Sequence, residues 1–393
     1  MLLIPYFYYF LEIHSLRLND VNRAGIFPFQ FSIGSPLCRF VCLMPLWFKR
    51  LRGFIIFASM NKRFLVIQTA FIGDVILATG ILEKLHAFYP DAEIDYMVRK
   101  GNESMLKNHP YIRNVLVWDK KQNKYGNLLK LLKQIRSAKY DKVINVQRFA
   151  ATGFITAFSN AKEKIGFDKN PWSFAFTKKV KHVVSNVSDP HIFHEIERNN
   201  KLIEDFTDEK PAKPKLYPTK EDYNSVQQYK QQPYICIAPA SVWFTKQYPP
   251  EKWISFIKKL PADLQVYLVG APTDADLCNE IIEGTGSNVV NLAGKLDFLQ
   301  SCALFKDAKM NYVNDSAPMH LASSVNAPVT AVYCSTINAF GFGPLSDKRI
   351  VVDTKINLSC RPCGLHGHAS CPEGHFKCAL TIEDQQLLDS IEN

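Results

Sequence analysis

The sequence contains no GxGxxG, which removes the dinucleotide fingerprint and with it the main case for a nicotinamide oxidoreductase. Its first 59 residues hold no apolar run of membrane-spanning length: the uncharged stretches 1–11, 24–38 and 40–48 are all too short. The opening MLLIPYFYYFL has no basic residues ahead of its apolar core, which argues against a secretory signal. No long Lys/Arg tract occurs after residue 60, so no nucleic-acid partner is expected. Short-period repeats and low-complexity tracts are missing too. Cysteine occurs ten times, but only four cluster. The other six sit singly among apolar residues, as buried thiols in a reducing cytosol do.

The 393 residues, 47% hydrophobic and 21% charged, are enough for two domains of ordinary size. Net charge is +10 with a pI near 9.0. Residues 1–59 supply six Lys/Arg against two Asp/Glu; the rest of the excess is spread thinly over the remaining chain. Such a charge suits an anionic ligand or a membrane surface. The first 59 residues are rich in Phe, Leu and Pro with little periodicity. They read as an extension foreign to the rest of the chain, with Met60 as the natural start; the rival reading is a membrane-associated tail.

From residue 60 strand and helix patterns alternate. Strand-like runs fall at 63–69, 93–98, 114–118 and 142–147, with helical spacing at 75–88 and 127–138. The segment 163–183 is irregular, basic and aromatic, and 191–206 returns to helical spacing. Residues 207–233 are polar and Pro-bearing, which marks a boundary. The alternation then restarts with strands at 234–239, 265–270, 288–294, 309–315 and 329–334, separated by helix-like runs. This predicts an α/β fold of two Rossmann-like domains with parallel sheets facing a central cleft. The expected division is 60–215, a linker 216–233, and 234–393. Ligands should gather at the carboxyl ends of the strands.

Several residues sit there. Gly73 and Asp74 lie between the first strand and its helix; Asp74 fits either a plain N-cap or a ligand-facing carboxylate. Asn314-Asp315-Ser316-Ala317-Pro318-Met319-His320 opens a helix whose free N–H groups suit a phosphate, with capping as the ordinary role. His320 fits a ligand contact or a core histidine. Ser241, Thr245 and Lys246 bring hydroxyls and a cation to the same edge; Lys246 fits a diphosphate or a solvated loop. Asp274 and Asp276 are placed to accept from ribose hydroxyls or to cap a helix. Leu292-Ala293-Gly294-Lys295 lies along a base or simply ends a strand.

FIGDVILATGILEKL, the NVLVWDK strand, IGFD, HEIERN, ASVWFTKQYPPEKW, VGAPTDAD, LAGKLD and VNDSAPMHLAS, in this order, resemble glycosyltransferase family 9, the ADP-heptose:lipopolysaccharide heptosyltransferases and their relatives. The resemblance covers about residues 60–380. It implies a GT-B fold and an inverting, metal-independent transfer from a nucleotide sugar, typically ADP-heptose. The implied acceptor is the lipopolysaccharide inner core, Kdo/heptose on lipid A. The implied place is the cytoplasmic face of the inner membrane, held peripherally. The alternative is a family member that uses another nucleotide sugar for a surface polysaccharide.

By the same resemblance, Asp74 matches the catalytic aspartate and Lys246 the donor-phosphate lysine. Asp315, Ser316, Ala317 and His320 match the diphosphate loop, and Asp276, or Asp274, an acidic position near the ribose. Gly73, Ser241, Thr245, Leu292 and Gly294 complete the expected donor set. At the helix N-terminus Asp74 should be held anionic, which lowers its basicity but fixes its place. Arg148, Lys178 and Arg198 are the expected acceptor contacts. Lys246-Gln-Tyr stands where many members keep Lys followed by Trp. The basic, aromatic stretch around Trp172, Phe174, Phe176, Lys178, Lys179 and Lys181 fits anionic lipid or an ordinary surface hairpin.

The tail CRPCGLHGHASCPEGHFKC groups Cys360, Cys363, Cys371 and Cys378 with three histidines. Its spacing departs from the paired CxxC ribbon. Structural zinc, a free-thiol cluster and a redox-sensitive loop all fit, zinc being slightly favoured. No cofactor is expected for catalysis.

Overall fold

The computed structural model describes residues 62–185, 192–286 and 288–392. The expectations for residues 1–59 and Met60 lie outside them. Twelve strands are described, in two sheets of six. The first sheet holds β1 (Arg63–Ile67), β2 (Glu93–Arg99), β3 (Ile112–Trp118), β4 (Lys142–Asn145), β5 (Glu163–Phe167) and β6 (Lys178–Val180). The second holds β7 (Tyr234–Ala238), β8 (Gln265–Leu268), β9 (Val289–Asn291), β10 (Asn311–Asn314), β11 (Val329–Tyr333) and β12 (Arg349–Asp353). Their orders are β3-β2-β1-β4-β5-β6 and β12-β11-β10-β7-β8-β9, and the paired strands run parallel. Each sheet therefore starts in its middle, winds to one edge, and returns to its middle. The crevice of such a sheet opens where the winding reverses, between β1 and β4 and between β7 and β10.

The strand sequences explain why both sheet faces are covered. Side chains alternate along a strand. On β1, Phe64 and Val66 join one buried cluster while Leu65 and Ile67 join another. The Phe64 side is closed by α1 (Ile72–Phe88), through Val75, Ile76, Leu82 and Leu85. The Leu65 side is closed by α2 (Lys124–Ala138), through Leu128, Leu131, Leu132 and Ile135. On β7, Tyr234, Cys236 and Ala238 belong to the same cluster as Phe64, so one apolar core runs through both domains.

The segment 207–233 is more than a spacer. After an extended stretch it forms a short helix over 220–225, opened by Thr219, whose hydroxyl accepts from the Asp222 N–H. The extended stretch straps α1. The Lys215 N–H donates to Thr79 Oγ1 (3.0 Å), and Tyr217 Oη donates to Glu83 Oε1 (2.7 Å). A Cβ on Gly80 would stand 2.5 Å from the Ala212 carbonyl oxygen, so only glycine admits this approach.

Two other segments differ from expectation. The irregular 163–183 holds β5 and β6, which pair in parallel; the connection is a crossover rather than a hairpin. Phe176, expected at the surface, is buried against Gly166. The strand β12 was not anticipated, although Ile350-Val351-Val352 is a β-branched run; it lies partly exposed at a sheet edge.

Candidate active site

The loops at both reversal points carry the chemistry. Phe71 precedes α1, so Asp74 is its third residue rather than its N-cap. Its Oδ2 accepts from the Phe71 N–H at 3.2 Å. The carboxyl is largely shielded, and this loss of hydration raises its pKa above the ordinary carboxylate value, against the Phe71 N–H and the charges of Arg99 and Arg148. This corrects the expectation that the helix end would lower its basicity.

Gly73 brings α1 against α3 (Ala317–Ser324) of the second domain. A Cβ there would lie 2.7 Å from His320 Cδ2. His320 is buried and its pKa is pushed down to about 3, first by burial and then by His194 and Lys246; it is therefore neutral. Its Nδ1 has no partner among the described residues.

Across the crevice, Lys246 Nζ stands 2.6 Å from Asp315 Oδ2, which also accepts from Thr336 Oγ1 at 2.7 Å. Lys246 lies after β7, and Asp315 and Ser316 lie after β10. Ser316 occupies the N-cap of α3 without capping it through its side chain, and Ala317 is the first helical residue. Ser241 is half-buried in the loop after β7. Thr245 is corrected. It is buried, and its Oγ1 accepts from the His368 N–H (2.8 Å) and Ser335 Oγ (3.0 Å), so it braces the loop and does not face a ligand.

At the neighbouring strand ends, Asp274 is taken up by its own turn, accepting from the Ala271 N–H at 2.8 Å, while Asp276 is exposed in the next helix. The Leu292 N–H bonds to the Leu268 carbonyl (2.8 Å) and the Gly294 N–H to the Gly270 carbonyl (2.9 Å). Gly294, at φ +73, packs within 2.9 Å of Pro272 Cα through the place of its missing Cβ.

The acceptor set divides. Arg148 is exposed after β4, and its charge reaches Asp74. Lys178 is paired with Asp205 at 2.7 Å. Arg198 is buried: its Nε bonds Glu195 Oε2 (2.7 Å), and its other nitrogens donate to the Phe193 and Phe340 carbonyls at 2.5 and 3.0 Å. It fastens the short helix Glu195–Asn200 to the second domain, and is no acceptor contact. Two residues were missed. Arg99, last in β2, lies over the exposed Phe71 ring at 5.2 Å. Lys120, just after β3, donates to the Thr69 carbonyl (2.6 Å), and burial and Arg99 push its pKa down to about 8. Their position at strand carboxyl ends was the available signal.

Among the described residues no group of three or more His, Cys, Asp or Glu is placed to hold a metal ion. The thiols are free; Cys360 Sγ lies 3.9 Å from His375 Nε2, and Cys363 Sγ donates to the Cys360 carbonyl at 3.2 Å.

The family model of glycosyltransferase family 9 (heptosyltransferase) matches residues 128–371. The chain belongs to this family. It is an enzyme, a glycosyltransferase, and its paired parallel sheets form a GT-B fold. A lipopolysaccharide heptosyltransferase 3 of Escherichia coli is 28% identical over 285 residues, which are 69% of this chain and 83% of that one. A family 9 glycosyltransferase structure from Veillonella parvula superposes with a TM-score of 0.72 at 22% identity, covering 85% of this chain and 97% of the other. The E. coli ADP-heptose lipopolysaccharide heptosyltransferase II structure gives 0.68 at 21%, over 84% and 97%.

Proposed function

We propose that this family 9 enzyme transfers heptose, with inversion, from ADP-heptose to the Kdo/heptose inner core on lipid A, using Asp74 as general base. The observation that carries the reading is geometric: Asp74 stands in the first turn of α1, Gly73 beside it packs on His320 of α3, and Lys246 meets Asp315 just before that same helix. The names of the relatives support heptose as the sugar and lipopolysaccharide as the acceptor.

The step is one displacement. The acceptor hydroxyl gives its proton to Asp74 as its oxygen bonds the anomeric carbon. The bond from that carbon to the diphosphate breaks, and ADP leaves with the electron pair. A carboxylate of raised pKa is the better base for a hydroxyl near neutral pH. Lys246 and the amino end of α3 meet the charge that grows on the diphosphate, so the reading calls on no metal ion. The charges of Arg99 and Arg148 reach Asp74, and Lys120 lies by Arg99; these cations would meet the carboxylates and phosphates of the core. The Asp74→Asn variant keeps the shape and loses the base. Its acceptor-dependent ADP release should fall by about 10²–10⁴-fold while ADP still binds. Undiminished turnover would leave Asp74 only a structural role.

The same reading places the enzyme peripherally on the cytoplasmic face of the membrane that carries its acceptor. Among the described residues no helix is long and apolar enough to cross a membrane. The first domain instead shows an aromatic cluster. Trp172 packs on Phe154, Phe158 and Phe174 at 5.4–5.8 Å between ring centres, and Phe158 and Phe174 remain 44% and 74% exposed. The stretch 148–181 carries seven Lys/Arg against two Asp/Glu. Exposed aromatics beside excess cations suit an anionic lipid surface. Sedimentation with vesicles tests this.

A further inference from the structure

The cysteine-rich loop gathers no metal-binding set among the described residues, yet it is bound to the donor side of the cleft. Backbone and side-chain bonds join it to the loop of Lys246. The Thr245 N–H donates to the His368 carbonyl (3.1 Å), and the His368 N–H returns to Thr245 Oγ1 (2.8 Å). The Ser335 N–H donates to the Thr245 carbonyl (3.2 Å), and the Cys363 N–H to the Ser335 carbonyl (2.9 Å). Gly367, at φ +76, leaves room for the two loops to touch; a Cβ would stand 2.9 Å from Thr245 Oγ1 and 3.0 Å from Lys246 Cγ.

The loop reaches the lysine by a second route. The Arg361 guanidinium donates to the carbonyls of Cys334 (2.8 Å), Tyr333 (3.2 Å) and Thr336 (2.9 Å), and pairs with Asp353 (2.9 Å). Thr336 in turn holds Asp315, and Asp315 holds Lys246 Nζ. The lysine stem thus lies against Gly367, in a loop that Thr245 ties to His368 and Ser335, and its tip is held through Arg361, Thr336 and Asp315. Side chains that fix a charged group in this way govern how well it meets its ligand.

We propose that the cysteine-rich loop 360–371 is a positioning element for the donor diphosphate, and that Gly367, Thr245 and Arg361 transmit its hold to Lys246. This rests on reading Lys246 as the lysine that meets the donor phosphates. It gives the loop a part in donor recognition.

Two glycines of the loop form a matched test. Gly364 also has φ +76, but a Cβ there would meet nothing within 4 Å. Alanine strains the backbone alike at both positions, while only at 367 does it press on Thr245 and Lys246. Calorimetry of the full chain with ADP, GDP and UDP, beside steady-state kinetics, separates the cases. Gly367→Ala should weaken ADP binding and raise the donor KM by about tenfold or more, with a smaller change in kcat. Gly364→Ala should stay within about twofold of wild type in ADP affinity. Should Gly367→Ala not fold, Thr245→Val against Thr245→Ser gives the same contrast, since only serine keeps the hydroxyl that His368 and Ser335 bond. Equal ADP affinity in wild type, Gly367→Ala and Thr245→Val would overturn the proposal while leaving the donor reading intact. A wild-type chain that binds none of the three nucleotides would overturn both.

Discussion

Asp74 shows how one residue acquires its chemistry from two domains. Its place at the head of α1 comes from local sequence, its pKa is raised by burial, and its neighbour Gly73 packs on His320 of the other domain. A general base works only when deprotonated, so activity is lost as pH falls through its pKa. A raised pKa moves that loss upward. The acid limb of kcat/KM should therefore lie above the ordinary aspartate value of about 4. Arg99→Gln should shift it further up, because the positive charge that favours the carboxylate is gone. A limb at or below the ordinary value would contradict the assignment. Strand-end position drew attention to Asp74, Lys246 and Asp315 in the sequence, while the resemblance supplied the expected role of each and the expected acceptor set. Strand-end position misread Thr245, and the acceptor expectation misread Arg198. A hydroxyl or guanidinium at a loop looks identical in sequence whether it faces a ligand or, as here, Ser335, His368 and Glu195.

Among the elements, legibility tracked burial. The central strands, with both faces covered, read as apolar runs, and the longer helices between them kept their spacing. The edge strands β6 and β12 did not. Three residues, two of them lysine, make β6, and β12 is a five-residue strand with only Val352 buried. The polar composition of 207–233 signalled a connection but hid its grip on α1, which depends on the absence of a side chain at Gly80. The aromatic cluster of helix 150–158 and the turn before β6 yields its own test. The full chain should sediment with vesicles rich in anionic lipid and less with zwitterionic ones, and a Phe158→Ser/Phe174→Ser double variant should lose most of this binding. Activity on a soluble, delipidated acceptor should be kept. Equal sedimentation of wild type and double variant would remove the cluster from the membrane contact.

In the whole molecule, two sheets of the same winding present their reversal points to each other, and one apolar core continues between them. The contact of Gly73 with His320 draws the base toward the helix end that would hold the diphosphate. Alternating strands and helices around a polar boundary were enough to expect two such domains. Their mutual packing was not legible, because it depends on contacts between residues far apart in the chain, 142 positions for Arg198 and Phe340. Heptose transfer to the lipopolysaccharide core is tested by measuring ADP release from ADP-heptose by the full chain, with and without a Kdo-bearing lipid A acceptor. Release that depends on the acceptor is the expected result. Turnover with a different nucleotide sugar only, while ADP-heptose is left intact, would contradict it.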